Sequence, residues 1–401
     1  MLGFICVVVG CVSRQDYCQL DVSFAFLVHF PFIKIKNRSF SNLMDKYLSG
    51  GGRADVFSFL LLFSRWMGIS ALGTRSDGNL TTCYGVPGLS SQQMSVCQSK
   101  PDLIPTLRRG ANLGITECQK QFEKERWNCS TTNSSSVFGE IIDIGSPEAA
   151  FVYAITSAGV VHAASRSCSL GNLSDCACEA RRKRKQPSRG WEWGGCNDDV
   201  KFGVWLSKTF VDAPERNERS GTIADRKMRV RKKGRYLMNL HNNEVGRLVV
   251  QSLVSNQCRC HGVSGSCTIK TCWKTVPNFA KIGDHLKVKY KKAVQVVYNR
   301  KKRRIRRKEQ KRVKITKDTL VFIDRPPNYC NRNPALGILG TSGRVCNKTS
   351  PGSDRCDLLC CGAGYNTQVV REVKRCQCKF VWCCYVTCKE CPRIYDRHTC
   401  K

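Results

Sequence analysis

The sequence predicts a disulfide-rich α+β protein, in which a helical N-terminal domain with a projecting hairpin precedes a small cysteine-rich β domain. Two observations carry this prediction. The chain has 401 residues and 27 cysteines, and 12 of these cysteines fall within residues 330–400. Amphipathic stretches of helical periodicity fill the N-terminal part, whereas glycine, proline and short β-type runs follow residue 330.

The cysteines indicate disulfides and therefore an oxidising compartment. Three of them (Cys6, Cys11 and Cys18) lie in an apolar leader, and the remaining 24 form an even, clustered set. A cytosolic zinc protein is the alternative, but zinc ligands are usually spaced by two to four residues and include histidine. Here the close pairs are Cys-x-Cys or adjacent, and the chain has six histidines. We therefore expect a secreted protein.

The N-terminal residues predict export. Residues 1–71 are expected to be a leader, in which residues 56–63 form a short apolar core preceded by Arg53. Met44 is a plausible start, so residues 1–43 are expected to be an upstream extension or a gene-model artefact, although the apolar stretch 2–12 competes as the signal. No later run approaches the ~18 apolar residues of a transmembrane helix. Asn-x-Ser/Thr triplets also favour secretion, and the expected glycan acceptors are Asn79, Asn133, Asn172 and Asn347.

Helical periodicity predicts an N-terminal domain over residues 72–300. Apolar side chains recur at helical spacing within residues 102–127. A second helix should begin after Ser146, a natural N-cap, with Pro147 at its first position and Glu148 near the positive end of the helix dipole. Further amphipathic stretches lie at 200–211, 237–254 and 279–290.

Residues 301–328 are expected to be a basic linker and residues 329–401 a cysteine-rich domain. Short β-type runs such as TQVVREV and CKFVWCCYV fill the latter. A segment so small and so rich in cysteine depends on cross-links, which typically contribute ~2–4 kcal/mol each.

Much of the net charge of +35 is concentrated in three blocks, at residues 181–189, 226–235 and 300–314. Such blocks are either solvated mobile loops or a surface that binds a polyanion. In a secreted protein the polyanion is heparan sulfate rather than nucleic acid. The runs RRKR and RKKR within these blocks are also potential cleavage sites for secretory convertases.

The stretch RCHGVSGSCTIKTCW, residues 259–273, places a serine in the middle of a six-residue loop closed by cysteines. Residues 262–266 nearly spell the nucleophile elbow of a hydrolase, but Ser266 stands where the final glycine belongs. His261 lies three residues from Ser264 without an evident orienting acid. A metal site is a second alternative, with Cys258, Cys260, His261 and Cys267 as its ligands.

A stapled hairpin is the third interpretation and the one that we favour. Gly262 and Gly265 allow the positive φ angles that a tight tip requires. The loop is then suited to hold a serine hydroxyl away from the body of the protein, although spacing alone does not rank its two serines. Two nested disulfides would pin the tip: Cys260–Cys267 inside and Cys258–Cys272 outside.

The same loop closely resembles the signature of the Wnt family. Other motifs share the resemblance, which covers residues 83–401: ERWNC (125–129), GWEWGGC (190–196), MNLHNNEVGR (238–247) and the C-terminal cysteine array. Wnt proteins are secreted lipid-modified ligands and not enzymes, so the resemblance implies no catalytic residue and no metal. It implies instead that Ser264 carries a monounsaturated fatty acyl ester. Three further stretches, NYC, LLCCGAGYNT and FVWCCYVTC, indicate one vertebrate subtype.

The resemblance also implies the disulfide pairing. In the helical domain the implied pairs are Cys118–Cys129, Cys168–Cys176, Cys178–Cys196, Cys258–Cys272 and Cys260–Cys267. In the C-terminal part they are Cys330–Cys361, Cys346–Cys356, Cys360–Cys400, Cys376–Cys391, Cys378–Cys388 and Cys383–Cys384. Cys83 and Cys97 then remain to pair with each other.

Two contacts with the cysteine-rich domain of a Frizzled receptor follow from the resemblance. The acylated hairpin, residues 258–272, inserts its lipid into a receptor groove. A second hairpin, residues 376–391, contacts the opposite side through Phe380, Val381, Trp382, Cys383, Cys384 and Tyr385. Exposed tryptophan and tyrosine suit a binding hot spot, whereas a buried hairpin core is the alternative.

The family implies further partners: a low-density-lipoprotein-receptor-related co-receptor, an acyltransferase, and an export carrier in the secretory pathway. The basic insertions at 181–189 and 226–235 and the long leader depart from the family pattern. A secreted glycosaminoglycan-binding matrix protein is the alternative function, and such a protein has no use for Ser264.

Overall fold

The computed structural model describes residues 89–131, 139–178, 191–217, 226–309, 312–382 and 385–401. Residues 76–401 group into one compact unit. Several predictions lie outside the described residues: the leader, the basic block 181–189, Asn79, Asn133, Cys83, Cys383 and Cys384.

Helices and strands both occur in the described residues, as the predicted α+β class requires. The helices are α1 (Ser91–Ser99), α2 (Leu103–Phe122), α3 (Pro147–Ser169), α4 (Val200–Phe210), α5 (Ala213–Asn217), α6 (Arg226–Ser252), α7 (Phe279–Lys291) and α8 (Cys356–Leu359). The strands are β1 (Trp191–Trp193), β2 (Ser255–Cys260), β3 (Lys270–Thr275), β4 (Val294–Asn299), β5 (Arg304–Arg307), β6 (Val321–Phe322), β7 (Val345–Cys346), β8 (Tyr365–Val381) and β9 (Tyr385–Cys400).

Helix α3 is the centre of the helical part. It begins as predicted, with the Ser146 hydroxyl accepting a hydrogen bond from the backbone N–H of Ala149 and with proline at the first helical position. Neighbouring helices approach its backbone through glycines. A Cβ on Gly110 of α2 would lie 2.6 Å from Val160 Cα, and one on Gly203 of α4 would lie 2.6 Å from Val161 O. The helices therefore pack at backbone contact, and a larger side chain at these positions would separate them.

Helix α6 begins about ten residues before the predicted stretch, because the basic block 226–235 is its first part rather than a separate loop. Lysine and arginine are good helix formers, and the block has contacts of its own. The Arg235 guanidinium lies 3.0 Å from Asp143 Oδ1, and Arg231 lies 3.3 Å from Asp324. A Cβ on Gly234 would lie 3.2 Å from Tyr298 Cβ in β4, so this end of the helix packs closely on the strand.

The MNLHNNEVGR motif forms a buried polar network on α6. Arg247, with a side chain only 2% exposed, donates two hydrogen bonds to the Asp212 carboxylate at 3.0 and 3.1 Å. The Asn243 amide donates to the same carboxylate at 2.9 Å. Asn242 clamps the backbone of Val321, donating to its carbonyl at 2.9 Å and accepting from its N–H at 3.0 Å. The motif therefore joins α6 to the segment after α4 and to β6.

The strands form three three-stranded sheets in the described part of the chain, with the orders β1–β3–β2, β5–β4–β6 and β7–β9–β8. Strands β4 and β5 are antiparallel with Asn299 opposite Arg304, so the four-residue turn between them is the basic run RKKR. The Asn299 side chain accepts a hydrogen bond from the N–H of Lys302 at 3.2 Å, which closes this turn.

The C-terminal β-type runs proved longer than predicted. They belong to β8 and β9, two strands of 17 and 16 residues that pair antiparallel from Tyr365–Cys400 to Val381–Tyr385. Most of their side chains are exposed on both faces. A two-stranded ribbon of this kind is marginal in water on its own, and two disulfides near its far end, Cys376–Cys391 and Cys378–Cys388, hold the strands together.

The ERWNC motif connects the helical part to the C-terminal part. Arg126 donates to the Leu358 carbonyl at 2.9 Å, and Arg344 donates to the carbonyls of Arg126 and Glu123 at 2.7 and 2.9 Å. Trp127 of the same motif packs edge-on against the buried ring of Phe122, with the ring centroids 5.0 Å apart. These contacts fix the start of the C-terminal region against the end of α2.

The described residues contain ten disulfides whose two partners are both described, and each joins cysteines that the family resemblance pairs. Cys97 is also disulfide-bonded. The sulfurs of Cys346, Cys360 and Cys400 lie within 4.8 Å of one another, but all three belong to disulfides and none is a thiolate free to bind a metal. Within the described ranges, no helix is both long and apolar enough to cross a membrane.

Candidate receptor-binding hairpins

The first hairpin consists of β2 and β3 with the loop 261–269 between them. Cys258 lies directly opposite Cys272 in the antiparallel register, where their disulfide joins the two strands. A second disulfide, Cys260–Cys267, closes the loop itself. The backbone N–H of His261 donates to the Ile269 carbonyl at 2.8 Å and continues the ladder by one more step. The tip is therefore held by covalent and hydrogen bonds close to its end.

The base of this hairpin is anchored by the segment that contains GWEWGGC. Strand β1 pairs in parallel with β3, and the N–H of Gly194 donates to the Cys272 carbonyl at 3.0 Å. The Asn197 side chain accepts from the N–H of Lys274 at 2.8 Å. A Cβ on Gly194 would lie 2.7 Å from the side chain of Thr271, so this position admits only glycine without a shift of the strand.

Asp198 completes the anchor as a buried carboxylate. It accepts hydrogen bonds from the Thr275 hydroxyl at 2.7 Å and from the Val276 N–H at 2.8 Å. Its other oxygen lies 3.7 Å from the Arg166 guanidinium on α3. The hairpin base is thus tied to the central helix through one charged group with partners on both oxygens.

The backbone of the tip differs from the prediction. Gly265 has the expected positive φ, at +77°, but Gly262 has an ordinary φ of −71°, and the second positive value belongs to Ser264 at +56°. Glycine is nevertheless required at 262, because a Cβ there would overlap the hydroxyls of Ser266 and Thr268. The glycine is needed for space and not for its backbone freedom.

The two serines of the loop lie in different surroundings. The Ser266 hydroxyl lies over Gly262 and shares a hydrogen bond of 3.3 Å with the Thr268 hydroxyl. Ser264 is exposed, and no hydrogen bond to its hydroxyl is found within the described residues. Val263 beside it is 90% exposed, and a Cβ on Gly265 would meet no atom within 4 Å. Ser264 therefore faces open space on an apolar tip.

The hydrolase and metal interpretations of this loop are wrong. A nucleophile elbow follows a buried strand and precedes a helix, whereas this serine lies between two strands of an exposed hairpin. His261 is hydrogen-bonded to the Thr271 hydroxyl at 2.7 Å instead of to the serine. The three cysteines proposed as metal ligands, Cys258, Cys260 and Cys267, are all in disulfides.

The second hairpin tip lies at the far end of β8 and β9. Phe380 is paired with Val386, and Val381 with Tyr385, so apolar side chains occupy both faces of the ribbon. Trp382 at the turn is 90% exposed, and Phe380 and Tyr385 are 68% and 63% exposed. The alternative of a buried hairpin core is therefore wrong. A local shift in register between Cys376 and Lys379 lies just before the tip.

Two of the expected glycan acceptors lie among the described residues, and both are exposed. Asn172 follows the end of α3, where its N–H donates to the Ser167 carbonyl at 2.9 Å. Asn347 accepts hydrogen bonds from the N–H and the hydroxyl of Thr349, both at 3.1 Å. Asparagine and threonine of this triplet are thus held side by side at the surface.

Comparison with known proteins gives consistent matches over most of the chain. Residues 85–401 match the model of the Wnt family. The chain is 49% identical over 347 residues to protein Wnt-16 of Mus musculus, covering 84% of this chain and 91% of that protein. It is 48% identical over 343 residues to protein Wnt-16 of Bos taurus, with the same coverage. These matches confirm the family and the subtype that the sequence motifs indicate.

A structural match supports the fold. A chain of the solved structure of human WLS in complex with WNT8A aligns with a TM-score of 0.52 and 35% sequence identity. The alignment covers 75% of this chain and 94% of that chain.

Proposed function

The chain belongs to the Wnt family of secreted signalling ligands, and from this premise we propose that it activates Frizzled receptors by binding their cysteine-rich domain through both hairpin tips. The observation that carries the proposal is the exposure of Ser264 and Trp382 on two separately stapled tips. Neither tip packs against the protein's own core among the described residues, so each is free to contact a partner.

The first contact is a fatty acyl chain esterified to Ser264. A buried methylene contributes ~0.8 kcal/mol, so about a dozen methylenes in a receptor groove supply on the order of 10 kcal/mol. Val263 and Ile269, which are 90% and 64% exposed, extend the apolar surface next to the ester. The two disulfides keep the tip from folding back over the chain, so the lipid remains available to the receptor.

The second contact is made by Phe380, Trp382 and Tyr385 on the opposite side of the receptor domain. Large aromatic side chains bury much area with little loss of rotamer entropy, and for this reason they dominate hot spots. Since both faces of the ribbon are apolar at this end, the receptor has to cover the tip from two sides.

An acylated ligand requires proteins that attach and shield its lipid. The structural match is a complex of human WLS with WNT8A, and we propose that a carrier like WLS exports this chain. An acyltransferase in the secretory pathway is proposed to attach the lipid. A low-density-lipoprotein-receptor-related co-receptor is proposed to bind surfaces away from the two tips. The chain itself is proposed to have no enzymatic activity.

Heparan sulfate is the proposed extracellular matrix partner. The basic turn after β4 and the basic first part of α6 are far apart in sequence but adjacent in space, since Gly234 packs on Tyr298. Arg304 of β5 and Lys233 of α6 are exposed, as are all four residues of the turn. A sulfated chain that crosses both elements meets positive charge along its length.

The proposal is tested by the affinity of the secreted full-length chain for an immobilised Frizzled cysteine-rich domain. Ser264→Ala and Trp382→Ala should each lower the affinity while the heparin elution position stays unchanged. A lipid-free matrix protein would show no effect of either change. Normal receptor affinity in either variant would contradict a two-tip mode of binding.

A further inference from the structure

The loop at the first tip leaves no room for a side chain at residue 262. A Cβ on Gly262 would overlap Ser266 Oγ and Thr268 Oγ1, and it would lie 2.5 Å from the Ser266 carbonyl oxygen. The same glycine donates its N–H to that carbonyl at 2.8 Å. The backbone of residue 262 and the side chain of Ser266 are thus packed against each other without space for a Cβ.

This packing decides which way the neighbouring residues turn. The Gly262 carbonyl accepts from the N–H of Gly265 at 3.0 Å, and the Val263 carbonyl accepts from the N–H of Ser266 at 3.1 Å. These two short bonds leave Ser264 at the apex, in the left-handed region that few non-glycine residues adopt. The Ser266 hydroxyl is hydrogen-bonded to Thr268, whereas Ser264 is exposed and its hydroxyl has no hydrogen bond within the described residues.

We infer that Gly262 is a positioning residue for the modification of Ser264: the space it leaves is filled by the hydroxyls of Ser266 and Thr268, and this fixes Ser264 as the acyl acceptor of the loop. The inference rests on the proposed acylation. It adds a structural reason why one of two serines only two residues apart is acylated. Gly262 itself does not contact the reacting atoms.

The chemistry explains why position matters. In the transfer, the Ser264 oxygen attacks the carbonyl carbon of an acyl thioester, a C–O bond forms, the C–S bond breaks, and the hydroxyl proton passes to the departing thiol. The attacking oxygen has to reach the carbonyl carbon at about 3–3.5 Å with the correct alignment. A hydroxyl at the apex of a rigid turn satisfies this requirement, whereas one hydrogen-bonded across the loop has first to break that contact.

Gly265 offers a matched control on the other side of the serine. It has the positive φ that Gly262 lacks, but open space surrounds the position of a Cβ. Asparagine tolerates positive φ better than other residues, so Gly265→Asn keeps the backbone and adds a side chain without a clash. Gly262→Ala has the opposite character, because the backbone angle is ordinary and only the space is lacking.

The experiment is peptide mass spectrometry of the full-length chain, expressed with an acyltransferase and recovered from both medium and cells. It measures acyl occupancy at Ser264 and Ser266 and the pairing of the four hairpin cysteines. We expect Gly262→Ala to keep both disulfides. Its acyl occupancy at Ser264 should be at least fivefold lower than in wild type, or part of the acylation should move to Ser266. Gly265→Asn should keep the wild-type pattern.

Wild-type occupancy at Ser264 in Gly262→Ala would overturn the inference. Loss of the disulfides together with the acyl chain would also overturn it, because the glycine would then act only in folding. A wild-type chain without acyl at Ser264 would instead refute the proposed function, so the two failures are distinguishable.

Discussion

At the scale of single residues, the stability of the helical part depends most clearly on the buried ion pair between Arg247 and Asp212. Both guanidinium nitrogens that face the carboxylate donate to it, and both side chains are nearly inaccessible to solvent. A buried pair adds little net stability over an apolar pair, but removing one partner leaves an uncompensated charge.

Arg247→Met should therefore lower the free energy of unfolding by about 3–5 kcal/mol. Unfolding in denaturant under non-reducing conditions measures this change. Lys208→Met is the matched control, since Lys208 of α4 is half exposed and lies 3.4 Å from Glu244, which is on α6 with Arg247. It should change stability by less than about 1 kcal/mol, and an equal effect of the two variants would contradict the role given to the buried pair.

Two partly buried histidines make stability depend on pH. Burial lowers the pKa of His162 and of His241 below the ordinary value, because the charged imidazolium is poorly solvated there. In each case Nε2 donates to a backbone carbonyl, that of Pro277 at 3.0 Å and that of Thr319 at 2.8 Å. These bonds only partly offset the effect of burial.

The folded protein thus binds fewer protons than the unfolded chain below about pH 6.5. The stability that these histidines contribute is complete above that pH and is lost as the pH falls through it toward the lower folded-state pKa. The loss is at most about 1.4 kcal/mol per pH unit for each histidine. Denaturation midpoints between pH 7 and pH 5 should fall less steeply in His162→Gln than in wild type, while the exposed His285→Gln should match wild type.

Residue spacing does not rank Ser264 over Ser266 as the acyl acceptor, because the proposed preference depends on a contact that forms only in the folded tip. The sequence predicts a stapled loop and a presented hydroxyl, and the family resemblance names Ser264. The close packing of Gly262 against Ser266 and Thr268 is the physical reason that we propose for this preference. A positive φ was expected at Gly262 and belongs instead to Ser264, two residues further along the loop.

At the scale of elements, the second hairpin is a ribbon whose exposed tip and exposed stem are both apolar in places. Val369 on the stem is 67% exposed and Trp382 at the tip is 90% exposed. Exposure of apolar side chains therefore does not by itself distinguish a binding surface from the solvent-exposed stem of the ribbon. What distinguishes the tip is its cluster of aromatic residues on both faces.

Trp382→Ala should weaken binding to the receptor domain by ~2 kcal/mol or more, because the indole is the largest side chain at the proposed contact. Titration of the purified chain against the receptor domain measures the loss. Val369→Ala, on the same ribbon but in its stem, should leave the affinity unchanged. If both variants bind alike, or if Trp382→Ala is retained in the cell as misfolded protein, the second contact is misassigned.

The basic hairpin between β4 and β5 is proposed to hold the ligand on heparan sulfate. Neutralising Arg300, Lys301 and Lys302 to glutamine should lower the salt concentration for elution from heparin, since exposed charges act through a screened field. Receptor affinity should not change. The matched control neutralises three exposed residues of the second hairpin stem, Arg371, Lys374 and Arg375. An elution shift no larger than that of the control would reject the basic hairpin as the main site.

The lengths of β8 and β9 could not be predicted from the sequence. Strand periodicity appears where one face is buried and the other is wet, but most of this ribbon is exposed on both faces. The helices were easier to predict, because α2, α4 and α7 each have one buried face, which gives a helical pattern of apolar residues. The basic start of α6 was ambiguous from charge alone, and its helical form is explained by the contact of Gly234 with β4.

At the scale of the whole molecule, the sequence predicts the fold class, the stapled first tip and the exposed second tip. It does not predict how the C-terminal region is held to the helices. That junction uses backbone carbonyls as acceptors for Arg126 and Arg344, and backbone groups leave no signature in a pattern of side chains.

The central claim is that this Wnt-family chain acts through an acyl chain on Ser264, and intact mass spectrometry of the secreted protein combined with receptor activation tests it most directly. Ser264→Ala should keep the fold and disulfides, because one exposed hydroxyl contributes little, yet lose the acyl mass, membrane partitioning and most signalling. Ser266→Ala should retain the lipid and signal. A Ser264→Ala protein that is fully active and carries no lipid would contradict the account.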